Sequence, residues 1–294
     1  MAEPALAHAP SDDLLNDFKR DGFVVVRGLF GATWRERVLA EIVRTFRLRA
    51  DALGLDLPKV TDQASFSDLL AGLFRKDIPT YIATAKLTQH LVSVHQMGIS
   101  PELMGVVEAL GFGLPAISTR PVIHYVADRL KIPGGYHKTQ PHQDWRSVQG
   151  SVDGITVWTP IFDVGLRDYP LEVAPASHLR GLMDCEFGAN GFVVDESHWA
   201  ESDFRPLEMQ AGDAVIFSGF LLHRTGELGG EDVRVALSFR FNNVAEPHFV
   251  QRNFPNTYIY RTEPAIVTPG FPSKTVLAEV FPDAAAKPRG DRRG

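Results

Sequence analysis

The spacing of hydrophobic residues divides the chain into two parts. Up to about residue 115 the apolar positions recur at helical spacing, for example at Val38, Ile42, Val43 and Phe46. From about residue 116 the pattern changes to short apolar or alternating runs separated by glycine and proline, which is typical of β-strands. This order predicts a β core against which the earlier helices pack.

The same pattern predicts the individual elements. Helices are expected at residues 11–18, 33–50, 66–74, 78–94 and 101–110, with one early strand at residues 23–29. Later strands are expected at residues 117–126, 154–162, 172–173, 205–209, 213–217 and 234–244. Short strands at such intervals are typical of an antiparallel sandwich or jelly roll. The expected fold class is therefore α+β, mainly β with flanking helices.

A single domain accounts for this organisation. We expect it to span residues 1–282, with helices mostly at 11–115, a β core at 116–245 and a C-terminal segment at 246–282. Residues 283–294 have a composition that predicts a disordered tail. The connection between Ser177 and Phe204 is long for a compact domain, and because such loops are often lids, we expect part of it to cover the substrate.

The predicted last strand has two chemically different faces. Its odd-numbered positions are all apolar: Val235, Leu237, Phe239 and Phe241. Its even-numbered positions carry Arg234, Ala236, Ser238, Arg240 and Asn242. Because side chains alternate between the two faces of a strand, the first face is suited to packing on helices and the second to a polar interior or to solvent.

Composition argues against several classes of partner. The chain has 294 residues and a formal net charge of −6, whereas nucleic-acid binding calls for a basic surface. Cys185 is the single cysteine, so neither an intramolecular disulfide nor a cysteine-rich zinc site is expected. No apolar run reaches the length of a membrane span, and the N-terminus lacks the features of a signal peptide. We expect a cytoplasmic protein that acts on a small molecule; the sequence does not indicate its oligomeric state.

Candidate chemistry centres on His142 and Asp144. If this segment is an extended strand, the two side chains share one face. His223 follows a second apolar run. Two histidines and one carboxylate form the facial triad of non-haem Fe(II) oxygenases, which leaves three metal positions open, so His178 is not expected to be a further ligand. A His-x-Asp pair alone is more often a surface turn, and the prediction therefore depends on other residues.

Arg234, Thr225 and Trp158 are suited to serve such a site. A turn at residues 226–231 would return Arg234 beside the metal, where its guanidinium can pair with both oxygens of a carboxylate. On an extended segment Thr225 shares the side of His223 and can hydrogen-bond the same carboxylate, although a threonine at a turn is common. Trp158 is either a core residue or a wall of this pocket.

Together these segments resemble the phytanoyl-CoA dioxygenase family of Fe(II)- and 2-oxoglutarate-dependent oxygenases. The matching segments, in order, are residues 18–30, His142-Gln143-Asp144, Trp158, Pro175-Ala176-Ser177-His178, and residues 212–217, 221–225 and 234–238. They cover roughly residues 14–245. One departure is Ala176, where the family often has glycine.

The resemblance implies a cofactor set and a fold. It implies Fe(II) on His142, Asp144 and His223, with O2 as oxidant. It also implies 2-oxoglutarate bound through its distal carboxylate by Arg234, with Thr225 assisting and Trp158 nearby. The implied fold is a double-stranded β-helix, a form of jelly roll. Relatives that halogenate carry a small residue in place of Asp144, so the resemblance favours hydroxylation with release of succinate and CO2.

The substrate is predicted only by class. Five polar or aromatic residues near the motif are candidate substrate contacts: Arg120, His124, Trp145, Arg146 and Arg240. They favour a small polar or anionic metabolite such as a sugar, an amino-acid derivative or a secondary metabolite. Two alternatives stay open. A cupin-like metal enzyme without 2-oxoglutarate would use more histidines, and a non-catalytic binding protein would have lost a ligand or the arginine.

Overall fold

The computed structural model describes residues 12–132, 137–188, 191–255 and 275. The helices in these ranges are α1 (Asp12–Asp21), α2 (Ala32–Ala52), α3 (Gln63–Lys76), α4 (Ile78–Thr88), α5 (Val92–Gly98), α6 (Pro101–Ala109), α7 (Trp145–Val148) and α8 (Pro247–Gln251). The strands are β1 (Phe23–Val26), β2 (Pro115–Ile117), β3 (Val122–Val126), β4 (Ile155–Pro160), β5 (Leu171–Val173), β6 (Cys185–Gly188), β7 (Gly191–Val194), β8 (Arg205–Leu207), β9 (Ala214–Ser218), β10 (His223–Thr225) and β11 (Arg234–Asn243). The expected tail lies outside the described residues.

The strands form two principal antiparallel sheets. The major sheet has the order β1-β9-β4-β11-β2, and β3 also pairs with β11. The minor sheet has the order β10-β5-β8, and β6 and β7 form a separate hairpin. None of the described helices is both long and apolar enough to cross a membrane.

The two faces of the major sheet contact different partners. Its outer face packs on the helices through residues that include Val157, Ile216, Val235, Leu237, Phe239 and Phe241, together with Ile42, Phe46, Leu69 and Met97 from the helical part. The prediction for the odd-numbered face of β11 is therefore confirmed. The inner face contributes Trp158, Val215, Phe217 and Ala236 to a second cluster with Leu171 and Val173 of the minor sheet.

Residues 78–94, predicted as one helix, form two. The hydroxyl of Thr88 at the end of α4 donates to the Ala85 carbonyl at 2.7 Å and lies 2.8 Å from the Tyr125 hydroxyl. Local hydroxyl-to-carbonyl bonds of this kind compete with the helical bonding pattern. The helix resumes at Val92 in a position that buries Val94 and Met97.

Residues 117–126, predicted as one strand, also form two. Pro121 lies between β2 and β3, and proline has no N–H with which to continue a β-ladder. Both pieces still pair with β11, since Ile117 is opposite Phe241 and Val122 is opposite Ser238. The prediction of a strand in residues 117–126 is therefore wrong in its continuity, although both pieces lie against the same neighbour.

Candidate metal centre

His142 and His223 are backbone partners. They form an antiparallel bridge with N···O distances of 3.0 and 3.1 Å. Nδ1 of His142 lies 2.8 Å from the Gln140 carbonyl, and Nδ1 of His223 lies 2.9 Å from the Leu221 carbonyl. A ring proton donated to each carbonyl leaves the two Nε2 atoms with free lone pairs, as metal ligation requires.

Asp144 reaches the same point by a route that differs from the expectation. Its backbone is helical, with φ −62° and ψ −31°, at the position directly before α7. The prediction that His142 and Asp144 share the face of a strand is therefore wrong. The side chains nevertheless converge, with Oδ1 of Asp144 3.5 Å from Nε2 of His142.

The three side chains together form a metal-binding geometry. One ligand atom from each of His142, Asp144 and His223 lies within 4.8 Å of the others. Two imidazole nitrogens and one carboxylate oxygen are the donor set of a non-haem Fe(II) centre. The residues present therefore fit Fe(II).

The protonation states also suit a metal. Burial lowers the pKa of His223 to about 3, so its imidazole is neutral at physiological pH. Burial acts to raise the pKa of Asp144, but the Arg240 guanidinium and the two histidines outweigh it and hold that pKa well below its usual range. Metal ligation needs a neutral imidazole and a charged carboxylate, and both are present.

Two side chains enclose the Asp144 carboxylate. Arg240 donates from Nε to Oδ2 at 3.0 Å and from Nη2 to Oδ1 at 3.2 Å. The Thr156 hydroxyl donates to Oδ2 at 2.6 Å. The sequence did not predict a role for Thr156 in this site. The hydrophobic pattern placed it on a strand but could not show that its hydroxyl bonds Asp144.

Gln143, between the two ligands, is fully buried and joins three segments. Its amide nitrogen donates to the carbonyls of Gly181 and Phe220 at 2.8 and 2.6 Å. Its amide oxygen accepts from the Met183 N–H at 2.8 Å. This residue matched the family motif, but its structural role was not predicted.

The Pro175–His178 loop supports the chain that leads to His223. The Leu222 N–H donates to the Ser177 hydroxyl at 2.9 Å. His178 contacts α1 instead of the metal centre, with its Nε2 3.1 Å from the Lys19 carbonyl. The ring packs so closely on Gly22 that an added Cβ there would lie 2.4 Å from Nδ1.

Arg234 and Trp158 lie together on the inner face of the major sheet. Arg234 is 3% exposed, and its guanidinium carbon is 5.6 Å from the centre of the Trp158 ring. Thr225 is buried on β10 and its hydroxyl accepts from the Thr139 N–H at 3.3 Å. A buried arginine between the sheets is suited to bind a carboxylate by two parallel hydrogen bonds.

The five candidate substrate residues lie in different surroundings. Arg240 binds Asp144, and His124 is 3.3 Å from the Ser238 hydroxyl on the inner face of the major sheet. Trp145 stacks on Phe220 with ring centres 5.3 Å apart. Arg146 donates to the Met183 carbonyl at 2.7 Å, and Arg120 is exposed between β2 and β3.

The hairpin of β6 and β7 was not predicted. It lies within the long connection expected to include a lid, and Gly188 and Gly191 are paired at its closed end, so the glycines in this stretch are the signal that could have indicated a turn. The Val194 N–H donates to the Pro141 carbonyl at 2.8 Å, which anchors the hairpin next to His142.

Similarity to known proteins was measured in sequence and in structure. The chain is 31% identical over 112 residues to a phytanoyl-CoA dioxygenase of Arabidopsis thaliana, covering 37% of this chain and 40% of that one. It is 29% identical over 134 residues to a methylphosphonate hydroxylase of Gimesia maris, covering 46% and 48%. The chain thus spans about half the length, or less, of the curated relatives that it matches.

Solved structures share the fold at low sequence identity. The epimerase SnoN, solved in complex with Fe3+, alpha-ketoglutarate and nogalamycin RO, superposes with a TM-score of 0.54 at 17% identity, over 79% of this chain and 83% of SnoN. The family model for phytanoyl-CoA dioxygenase matches residues 18–236, which is well over half of the chain. This protein therefore belongs to the phytanoyl-CoA dioxygenase family.

Proposed function

We propose that this protein is an Fe(II)- and 2-oxoglutarate-dependent dioxygenase with a double-stranded β-helix core within one domain. The observation that carries the proposal is the convergence of His142, Asp144 and His223 within 4.8 Å. The buried pair of Arg234 and Trp158 on the same inner face adds the second requirement, a site for a dicarboxylate.

Each residue has a distinct part in the proposed reaction. With both bound, Fe(II) and 2-oxoglutarate would supply the oxidation of an unactivated C–H bond by O2, with release of succinate and CO2. His142, Asp144 and His223 hold the metal, with the His223 imidazole neutral and the Asp144 carboxylate charged. Arg234 binds the distal carboxylate of the cosubstrate with help from Thr225, while Trp158 forms a wall of its pocket.

We propose a small polar or anionic metabolite as the substrate, and hydroxylation as the outcome. The relative named methylphosphonate hydroxylase supports both points by analogy. His124 and Ser238 place polar atoms on the inner face beside Trp158. Arg240 does not support the anionic class independently, because its described hydrogen bonds end on Asp144.

The first test is anaerobic visible spectroscopy of the purified protein with Fe(II) and 2-oxoglutarate. We expect a weak charge-transfer band in the wild type and in Arg205→Ala, which removes an exposed arginine on β8. We expect no band in Arg234→Ala, because the cosubstrate loses its distal anchor. Alanine at His142, Asp144 or His223 should abolish both the band and 2-oxoglutarate turnover.

The other outcomes separate the alternatives. Tight metal binding without a band on addition of 2-oxoglutarate would favour a cupin-like enzyme that does not use this cosubstrate. Absence of metal binding would favour a non-catalytic binding protein. Full turnover in a triad variant would contradict the assignment of that ligand.

A further inference from the structure

Arg240 and Thr156 are cross-strand neighbours in the major sheet. The register of β4 and β11 pairs them directly, so their side chains leave the same face of the sheet. Trp158 and Ala236, two and four residues away along these strands, show that this face is the interior one. Arg240 and Thr156 therefore approach Asp144 from one side, opposite the strand that carries His223.

The two oxygens of the Asp144 carboxylate are in unequal positions. Oδ2 accepts two hydrogen bonds, at 2.6 Å from Thr156 and at 3.0 Å from Arg240. Oδ1 accepts one longer bond, at 3.2 Å from Arg240, and is the oxygen that lies 3.5 Å from Nε2 of His142. Oδ2 is thus held on the sheet side, and Oδ1 faces the other two ligands.

We propose that Arg240 and Thr156 are positioning residues that present Asp144 to the metal through Oδ1 alone. The inference rests on the proposed function, since it concerns the same metal centre. One-oxygen ligation matters because a carboxylate that used both oxygens would occupy a further metal position. It would then close one of the three positions that the cosubstrate and O2 need.

The sign of the effect on metal affinity distinguishes this role from a simple charge effect. Arg240 is a cation near a site for a divalent cation, so loss of its charge alone would tighten metal binding. Loss of its hold on Asp144 would weaken binding, and residues that orient metal ligands typically contribute about ten- to a hundredfold in affinity. Weaker binding after removal of a positive charge therefore reports positioning.

The test is a Mn2+ titration of the full chain, in which electron paramagnetic resonance measures the concentration of free Mn2+. We expect Arg240→Gln to weaken Mn2+ binding about tenfold or more, and Arg240→Lys to recover part of the loss. Thr156→Val keeps the side-chain shape without the hydroxyl and should also weaken binding, whereas Thr156→Ser keeps the hydroxyl and should restore it. The comparison of Thr156→Val with Thr156→Ser keeps the proposal testable if Arg240→Gln does not fold.

A second readout reports the ligation itself. At equal Fe(II) occupancy, Arg240→Gln should weaken or shift the anaerobic band with 2-oxoglutarate, because an Asp144 carboxylate that is no longer held on the sheet side would interfere with the position that the cosubstrate needs. Arg252→Gln is the matched control: this arginine stacks over Trp145 and bonds the Gly150 carbonyl without touching Asp144. We expect it to change neither the Mn2+ affinity nor the band.

Each contrary result has a defined meaning. Mn2+ binding by Arg240→Gln that is as tight as in the wild type, or tighter, would overturn the inference, as would equal losses in Thr156→Val and Thr156→Ser. In those cases the proposed function would stand, because the wild type would still bind metal. A wild type that binds no metal would overturn the proposed function and the inference together.

Discussion

Single residues outside the His142-Gln143-Asp144 motif set the ionisation states in the candidate metal centre. Burial makes His223 neutral, and Arg240 counteracts the same burial at Asp144 so that the carboxylate stays charged. Both pKa values are lowered, but for different reasons. Burial disfavours the charged form and so lowers the pKa of His223, whereas at Asp144 burial acts to raise the pKa and the Arg240 guanidinium and the two histidines outweigh it.

Ala176 is a residue with a measurable conformational cost. It occupies the left-handed region, with φ 60° and ψ 2°, where a Cβ costs roughly 1–2 kcal/mol. We expect Ala176→Gly to raise the free energy of unfolding by about 1 kcal/mol, part of the gain being offset by the more flexible unfolded chain. Urea unfolding would measure it. Ala200→Gly is the control: Ala200 is extended, with φ −126°, so glycine there should give no gain. A similar gain in both variants would contradict the explanation.

At the scale of elements, the three candidate metal ligands lie on short segments that larger elements hold in place. His142 pairs with β10, Asp144 directly precedes α7, and Gln143 between them joins residues 181, 183 and 220. The loop with Ser177 supports the chain just before His223. Short, separately anchored segments explain why no long strand was needed to bring the ligands together.

Gln143→Leu tests this arrangement. The substitution keeps a similar volume but leaves a buried N–H and two carbonyl groups without partners, and we expect the free energy of unfolding to fall by on the order of 3 kcal/mol. Chemical unfolding of the metal-free protein would measure the change. Gln96→Leu, at an exposed position of α5, should stay within about 0.5 kcal/mol of the wild type. Equal effects would show that the buried amide has no special role.

At the scale of the whole molecule, the site lies between the two sheets. Asp144 is bonded to β4 and β11 of the major sheet, and His223 belongs to the minor sheet. A metal bound by both would link the two layers. The same interior face carries His124, whose pKa burial lowers to about 3.

The enclosed His124 predicts a pH dependence of global stability. The unfolded chain takes up a proton near pH 6.5 that the folded state excludes until about pH 3, so the free energy of unfolding falls as pH decreases through this window. Because a single proton is taken up, the contribution to the slope is at most roughly 1.4 kcal/mol per pH unit. His124→Gln, which keeps a hydrogen-bonding group, should flatten the dependence measured by urea unfolding at pH 4–6.5. An unchanged slope would contradict this account.

Local patterns predicted much of this architecture. Helical and alternating spacing depends only on neighbours along the chain, and it correctly indicated early helices, later strands and the apolar face of β11. The identities of His142, Asp144 and His223 suggested a metal site only together with Arg234, Thr225 and the family resemblance, because a His-x-Asp pair alone is more often a surface turn. Two interruptions were not predicted. The end of α4 at Thr88 involves a contact with the distant Tyr125, and the break before β3 depends on how Pro121 interrupts the ladder with β11.

The partner of Arg240 could be decided only by long-range pairing. Its position on the polar face of β11 was readable from alternation, but a substrate, solvent and Asp144 were equally compatible with that face. The register of β4 against β11 places Thr156 beside it, and the turn into α7 brings the Asp144 carboxylate to both. Arg240 and Asp144 are 96 positions apart in the sequence and meet through the pairing of distant strands. The spacing of residues along the sequence does not indicate which strands pair.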